Sequence, residues 1–163
     1  MGQIIKFCVV TGLRPAEAVE SVRLINDKEA FAKYYNPSRQ ALEHFRFPQF
    51  LRQTKKAYIS FVSPEILEIA RLPSTIVDAI PSYNAIRLAC RKRGIYMDMR
   101  YARKIFASHL RQSGIESDIV DLLQGRVPRT VFARHYFTPS LSYRQKVLGA
   151  LNELRKRVEE EDT

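Results

Sequence analysis

The chain has 163 residues, 45% of them hydrophobic and 27% charged, with 27 Lys and Arg against 17 Asp and Glu and a net charge of +10. That length suits one folded domain and that balance excludes wholesale disorder, while no apolar run reaches the roughly 18–20 residues a membrane span needs. Two cysteines, Cys8 and Cys90, make no disulfide framework and have no partners at metal-ligand spacing, so they read as buried thiols in a reducing, cytoplasmic setting with no metal.

In chain order, the apolar run Ile4–Val10 reads as a helix that ends at Thr11-Gly12 and starts without a capping signal, as if preceding residues belonged to it. The start is neither a secretory signal nor a myristoylation site, since position 6 is Lys6. Pro15 opens a second helix reaching about Val22, with Glu17 and Glu20 near its positive end. Residues 28–35 read as a short helix stopped by Asn36-Pro37. Residues 41–62, rich in aromatic and β-branched side chains around the polar patch Arg52–Lys56, predict a small antiparallel hairpin or three-stranded sheet. Ser63-Pro64-Glu65 supplies an N-cap, a first-turn proline and an acidic first turn. The remainder reads as helical, with Gly94, Gly114 and Gly125 as helix ends. A last helix over about 141–159 carries the heptad-like stripe Val147, Leu151, Leu154 and Val158, which either folds back on its own core or docks on a neighbouring subunit. The fold class is therefore mainly α with a small antiparallel sheet, in one domain over 1–163.

Between Arg91 and Tyr136 lie ten basic residues: Arg91, Lys92, Arg93, Arg100, Arg103, Lys104, Arg111, Arg126, Arg129 and Arg134. None stands three or four residues from an acid, the spacing that helical ion pairs use. Such a set is either a solvated helical face or a phosphate-binding surface, and guanidinium forks match phosphate oxygens bidentately. Arg100 and Arg103 share one helix face, opposite the apolar Ile105, Phe106 and Leu110.

These residues fall into an ordered set of motifs. Thr11-Gly12-Leu13-Arg14-Pro15-Ala16-Glu17 resembles the T-G-x-R-x-x-E box of tyrosine recombinases. The run from Arg100 to Leu110, RYARKIFASHL, resembles their second box, H-x-x-R-H-T-F-A-[ST]-H-L. Leu122-Leu123-Gln124-Gly125-Arg126 stands where the family has L-L-G-[HW], and Tyr136 stands where the nucleophilic tyrosine belongs. The arginine-rich variants are most similar to integrases of archaeal viruses of the fusellovirus type. Two departures from the family pattern bear on the chemistry. Arg100 replaces His or Lys, Arg126 replaces His or Trp, and neither guanidinium acts as a base under ordinary conditions.

The resemblance implies a catalytic domain, a C-terminal fragment of a longer protein with an N-terminal DNA-binding region before it. It implies DNA strand transfer through a 3′-phosphotyrosine, without metal or small-molecule cofactor, on double-stranded DNA in the (host) cytoplasm, with self-association as a tetramer on DNA. In that reading Tyr136 is the nucleophile and Arg14, Arg100, Arg103 and Arg126 stabilise the transition state. Lys55, or its neighbour Lys56, protonates the leaving oxygen. Glu17 orients an arginine and His109 buttresses the site. Arg91, Lys92, Arg93, Lys104, Arg129 and Arg134 hold DNA. His135 is open as a proton relay, and Tyr143 lies too far past Arg126 for the nucleophile's position. Two other functions remain open at this point: a type IB topoisomerase, and a non-catalytic DNA-binding module with a helix-turn-helix around Ser113-Gly114-Ile115.

Overall fold

The apolar run near the start forms helix α1, Gly2–Thr11, which buries Ile4, Phe7, Cys8, Val9 and Val10. A helix apolar on every side belongs at the centre of a fold, and α1 is packed against four other helices. The computed structural model describes residues 2–51, 56–73, 76, 80–94, 100–126 and 141–160. Seven more helices follow among them: α2 (Pro15–Asn26), α3 (Lys28–Tyr34), α4 (Pro64–Ala70), α5 (Tyr83–Lys92), α6 (Arg100–Gln112), α7 (Ser117–Leu123) and α8 (Leu141–Glu160). The partners of α1 are α2, α4, α6 and α8.

Local chemistry explains most helix boundaries. Pro15 occupies the first turn of α2, which runs one turn beyond the predicted Val22. Ser63 caps α4, its Oγ accepting from the Ile66 N–H, and the same hydroxyl donates to Asn152 Oδ1 of α8 at 2.7 Å. Gly94, Gly114 and Gly125 each take a positive φ just past a helix end, as predicted.

The small sheet is antiparallel and three-stranded, in the order β1 (Tyr35–Asn36), β2 (Ala41–Leu42), β3 (Ser60–Phe61). Tyr35 pairs with Leu42, and Leu42 in turn with Ser60. Its composition differs from the sequence expectation in two ways. The first strand comes from residues before the predicted segment, and most of the aromatic run forms two 3-10 turns, His44–Arg46 and Pro48–Phe50. Pro48 has no N–H to give a ladder. The aromatic rings instead pack inward: Tyr34 stacks on Phe50 and meets Phe47 edge-on, with centroids 6.0 and 5.3 Å apart. Beyond them the chain narrows to one antiparallel bridge, Leu51 with Lys56.

The stripe on α8 faces the chain's own core. Val147, Leu151 and Leu154 are buried, Val158 packs at the edge, and α8 rests on α1, α4, α6 and β3. Both cysteines are buried free thiols, and burial pushes the Cys8 thiol up to about 12. Among the described residues, no helix is long and apolar enough to cross a membrane.

Candidate active site

Arg14 sits at the N-cap of α2, where the first motif places it. Glu17, at the third helical position, accepts the Arg14 backbone N–H at 3.0 Å and its Nη1 at 2.8 Å. One buried carboxylate thereby caps the helix and fixes the guanidinium. The Glu17 side chain is 2% exposed while that of Arg14 is 21% exposed, so the arginine keeps an open side. Arg14 Nη1 also points at the Lys56 carbonyl, 3.4 Å away.

Arg103 projects from α6 into the same region. Its Nη1 donates to the Gly12 carbonyl at 2.9 Å and its Nη2 to the Gln124 carbonyl at 2.8 Å. These bonds join the first and third motifs through the second. Burial lowers the Arg103 pKa to about 10; the nearby Arg14 charge adds to that effect, Glu17 opposes it and Arg126 adds a smaller push. The guanidinium stays charged at neutral pH and lies close enough to Arg14 and Arg126 to feel both charges. Gly12 makes the approach of α6 possible. At φ +65° it takes a left-handed conformation, and a Cβ there would lie 2.5 Å from the Phe106 ring.

Arg126 follows the turn that closes α7. Its backbone N–H donates to the Asp121 carbonyl at 2.8 Å and its Nη1 to Asp121 Oδ1 at 3.1 Å. The side chain is still 59% exposed. The turn is pressed against the bridge strand, because a Cβ on Gly125 would fall 1.6 Å from the Lys56 carbonyl oxygen. The Lys56 backbone thus meets both Arg14 and the Gln124–Arg126 turn.

His109 stands apart from this group. It is buried, and its Nε2 donates to the Ala150 carbonyl of α8 at 2.8 Å, which ties α6 to α8. Lys104 lies over the exposed Tyr101 ring, 4.8 Å from its centroid, and Arg91, Lys92 and Arg93 are exposed at the end of α5. The Tyr143 hydroxyl accepts the Glu116 N–H at 3.2 Å and so supports the start of α7. Tyr136, Lys55, His135, Arg129 and Arg134 lie outside the described residues, as does the Arg100 side chain, whose backbone opens α6.

Sequence reading missed three participants. Asp121 holds Arg126, the Lys56 carbonyl joins two motifs, and Gln124 touches Arg103 through both its backbone and its side chain. Gln124 carried a faint signal, as a polar residue between the apolar Leu123 and a turn glycine. A backbone carbonyl has no such signal, because every residue has one.

Mainly helical, with a three-stranded antiparallel sheet, the chain gathers arginines from three motifs around one junction. Its residues 3–143 match the family model described as archaeal phage integrase, and the chain belongs to that family. The family resemblance read from its motifs is thereby borne out. Membership supports a role as a site-specific integrase acting on DNA. No curated protein and no solved structure matches the chain.

Proposed function

We propose that this chain is the catalytic domain of a site-specific DNA recombinase that cuts and rejoins DNA through a covalent bond to Tyr136. The observation that carries the reading is the convergence of Arg14, Arg103 and Arg126. They come from three separate elements, and among the described residues Glu17 is bonded to Arg14 and Asp121 to Arg126, while Arg103 is held by backbone carbonyls. Adjacent guanidiniums repel, so a surplus of them held at one junction is suited to an anion with several oxygens.

The Tyr136 oxygen attacks the phosphorus of a backbone phosphate, and the bond from phosphorus to the 5′-oxygen breaks. The leaving oxygen takes a proton from Lys55 or its neighbour Lys56, and the 3′-phosphate stays on the tyrosine. A 5′-hydroxyl from another strand reverses these steps and joins the new strand. Negative charge grows on the non-bridging oxygens in the transition state, where Arg14, Arg103, Arg126 and Arg100 donate. Removing one such donor costs about 10²–10³ in rate. A free tyrosine has a pKa near 10, so about one in a thousand is ionised at pH 7, and neighbouring guanidiniums favour the phenolate. Double-stranded DNA is the substrate, and a tetramer on DNA supplies the second strand.

The helix-turn-helix alternative fits less well. Helix α7, which follows the turn at Ser113-Gly114, has Glu116 at its N-cap and Asp118 in its first turn, and buries Ile119, Val120 and Leu123. An acidic helix start repels the phosphates that a recognition helix must approach.

The test uses a pool of nicked random-sequence duplexes, with adducts isolated under denaturing conditions and the modified residue found by mass spectrometry. The expected result is an adduct on Tyr136 that Tyr136→Phe abolishes. An adduct unchanged in Tyr136→Phe overturns the nucleophile assignment, and tight DNA binding without any adduct favours the binding module. Exchange of strands between two selected sites separates a recombinase from a topoisomerase.

A further inference from the structure

Gln124 is 2% exposed and bonds Arg103 in both directions. Its main-chain carbonyl accepts from Arg103 Nη2 at 2.8 Å, and its side-chain Nε2 donates to the Arg103 carbonyl at 2.7 Å. A carbonyl only accepts, so the orientation of the amide is settled. Among the described residues, the other end of that amide, Oε1, is buried without a hydrogen-bond partner. An orphaned buried acceptor lowers stability. The bond that Gln124 does make is not one the helix requires, because a carbonyl inside α6 is already used by the helical ladder. Stability alone therefore favours an apolar side chain of similar length at this position.

We propose that Gln124 is the positioning residue for Arg103. Its side chain anchors the turn to the backbone of α6, which sets the carbonyl that receives the guanidinium. The same turn continues through Gly125, against the Lys56 carbonyl, to Arg126. One amide therefore holds Arg103 and Arg126 in mutual register, so that both address one phosphate. This assignment rests on the proposed strand-transfer reaction for its catalytic consequence, though not for its geometry.

Gln124→Met keeps the length of the side chain and removes both the bond and the orphaned oxygen. The expected signature is a split between stability and rate. The melting temperature is unchanged or higher, affinity for random-sequence duplex stays within about threefold, and adduct formation on the nicked pool falls about 10–100-fold at saturating DNA. A residue that is merely structural lowers the melting temperature together with the rate. In an Arg103→Ala background, adding Gln124→Met lowers the residual rate by clearly less than it lowers the parent's, because one of the two groups held in register is gone. An unchanged rate in the single variant, or a fall that tracks lost stability, overturns the assignment.

A second measurement does not depend on catalysis. In protein labelled with ¹⁵N-arginine, the Arg103 guanidinium protons, assigned by comparison with Arg103→Lys, exchange slowly in the parent and rapidly in Gln124→Met. Equal exchange in both overturns the positioning role. If the parent chain forms no adduct while exchange behaves as expected, the strand-transfer reading fails and the geometric role of Gln124 stands.

Discussion

Gly94 and Gly125 share a left-handed backbone, at φ +73° and +67°, but will respond differently to alanine. Among the described residues a Cβ on Gly94 meets nothing within 4 Å, so Gly94→Ala should carry the left-handed penalty, about 1 kcal/mol. A Cβ on Gly125 meets the Lys56 carbonyl oxygen at 1.6 Å, and the obstacle is backbone rather than a side chain that can swing away. Gly125→Ala should cost more than about 3 kcal/mol, or force the bridge strand away from the turn. Denaturant titration of the two variants checks the difference. Similar losses would mean that the contact between the turn and Lys56 is not held in solution. At this scale the motif side chains were legible in the sequence, because Arg14, Glu17 and Arg103 are marked by residue type and spacing. The carbonyls of Gly12, Gln124 and Lys56, which receive the arginines, were not, since their position depends on how distant segments meet.

Between elements, a chain of buried polar groups joins α2, α3, the first 3-10 turn and β3. Ser21 Oγ bonds the Tyr34 hydroxyl, which lies 2.6 Å from His44 Nδ1, and His44 Nε2 lies 2.8 Å from Ser60 Oγ. Burial pushes the His44 pKa down to about 3, so the folded protein holds this ring neutral. The unfolded chain binds a proton there below about pH 6.5. Stability is therefore fully present above pH 6.5 and falls on acidification toward pH 3, at up to about 1.4 kcal/mol per pH unit. Unfolding free energies between pH 6.5 and 5, above most carboxylate titration, should show this slope, and His44→Gln should flatten it. A slope unchanged in His44→Gln would assign the acid sensitivity elsewhere. His109 makes the companion case at the α6–α8 contact. His109→Ala should lower stability by about 1–3 kcal/mol through the lost bond between α6 and α8 and the space left by the buried ring, with adduct formation per folded molecule nearly intact. A loss of rate larger than the loss of folded protein would give His109 a chemical role. Helix starts were readable because a proline or serine acts on its own next turn, as at Pro15 and Ser63. The sheet was only half readable, because the pairing of residues 35–36 with 41–42, and of these with 60–61, is settled by packing across the chain.

Over the whole molecule, the net charge of +10 divides between the arginines at the junction and a larger exposed set. Arg91, Lys92 and Arg93 at the end of α5 belong to the exposed set and allow two readings with different consequences. Cations in a last helical turn complement the helix dipole, which is worth about 0.3–1 kcal/mol each. Cations that neutralise phosphates release counterions instead, and each contact then adds about −0.9 to the slope of log affinity against log salt. If the protein neutralises about six phosphates, its affinity for a random-sequence duplex should fall with a slope near −5. Replacing Arg91, Lys92 and Arg93 together by glutamine should make that slope shallower by about 2–3 and weaken binding most at low salt. At saturating DNA the rate of adduct formation should be unchanged, since among the described residues none of the three bonds Arg14, Arg103 or Arg126. Fluorescence anisotropy across a salt series reads the slope, and a thermal melt reads the helix. A lower melting temperature with the slope unaltered would give these residues to the helix dipole rather than to DNA. A flat salt dependence in the parent chain would remove the phosphate-binding surface altogether, leaving the excess charge to solubility.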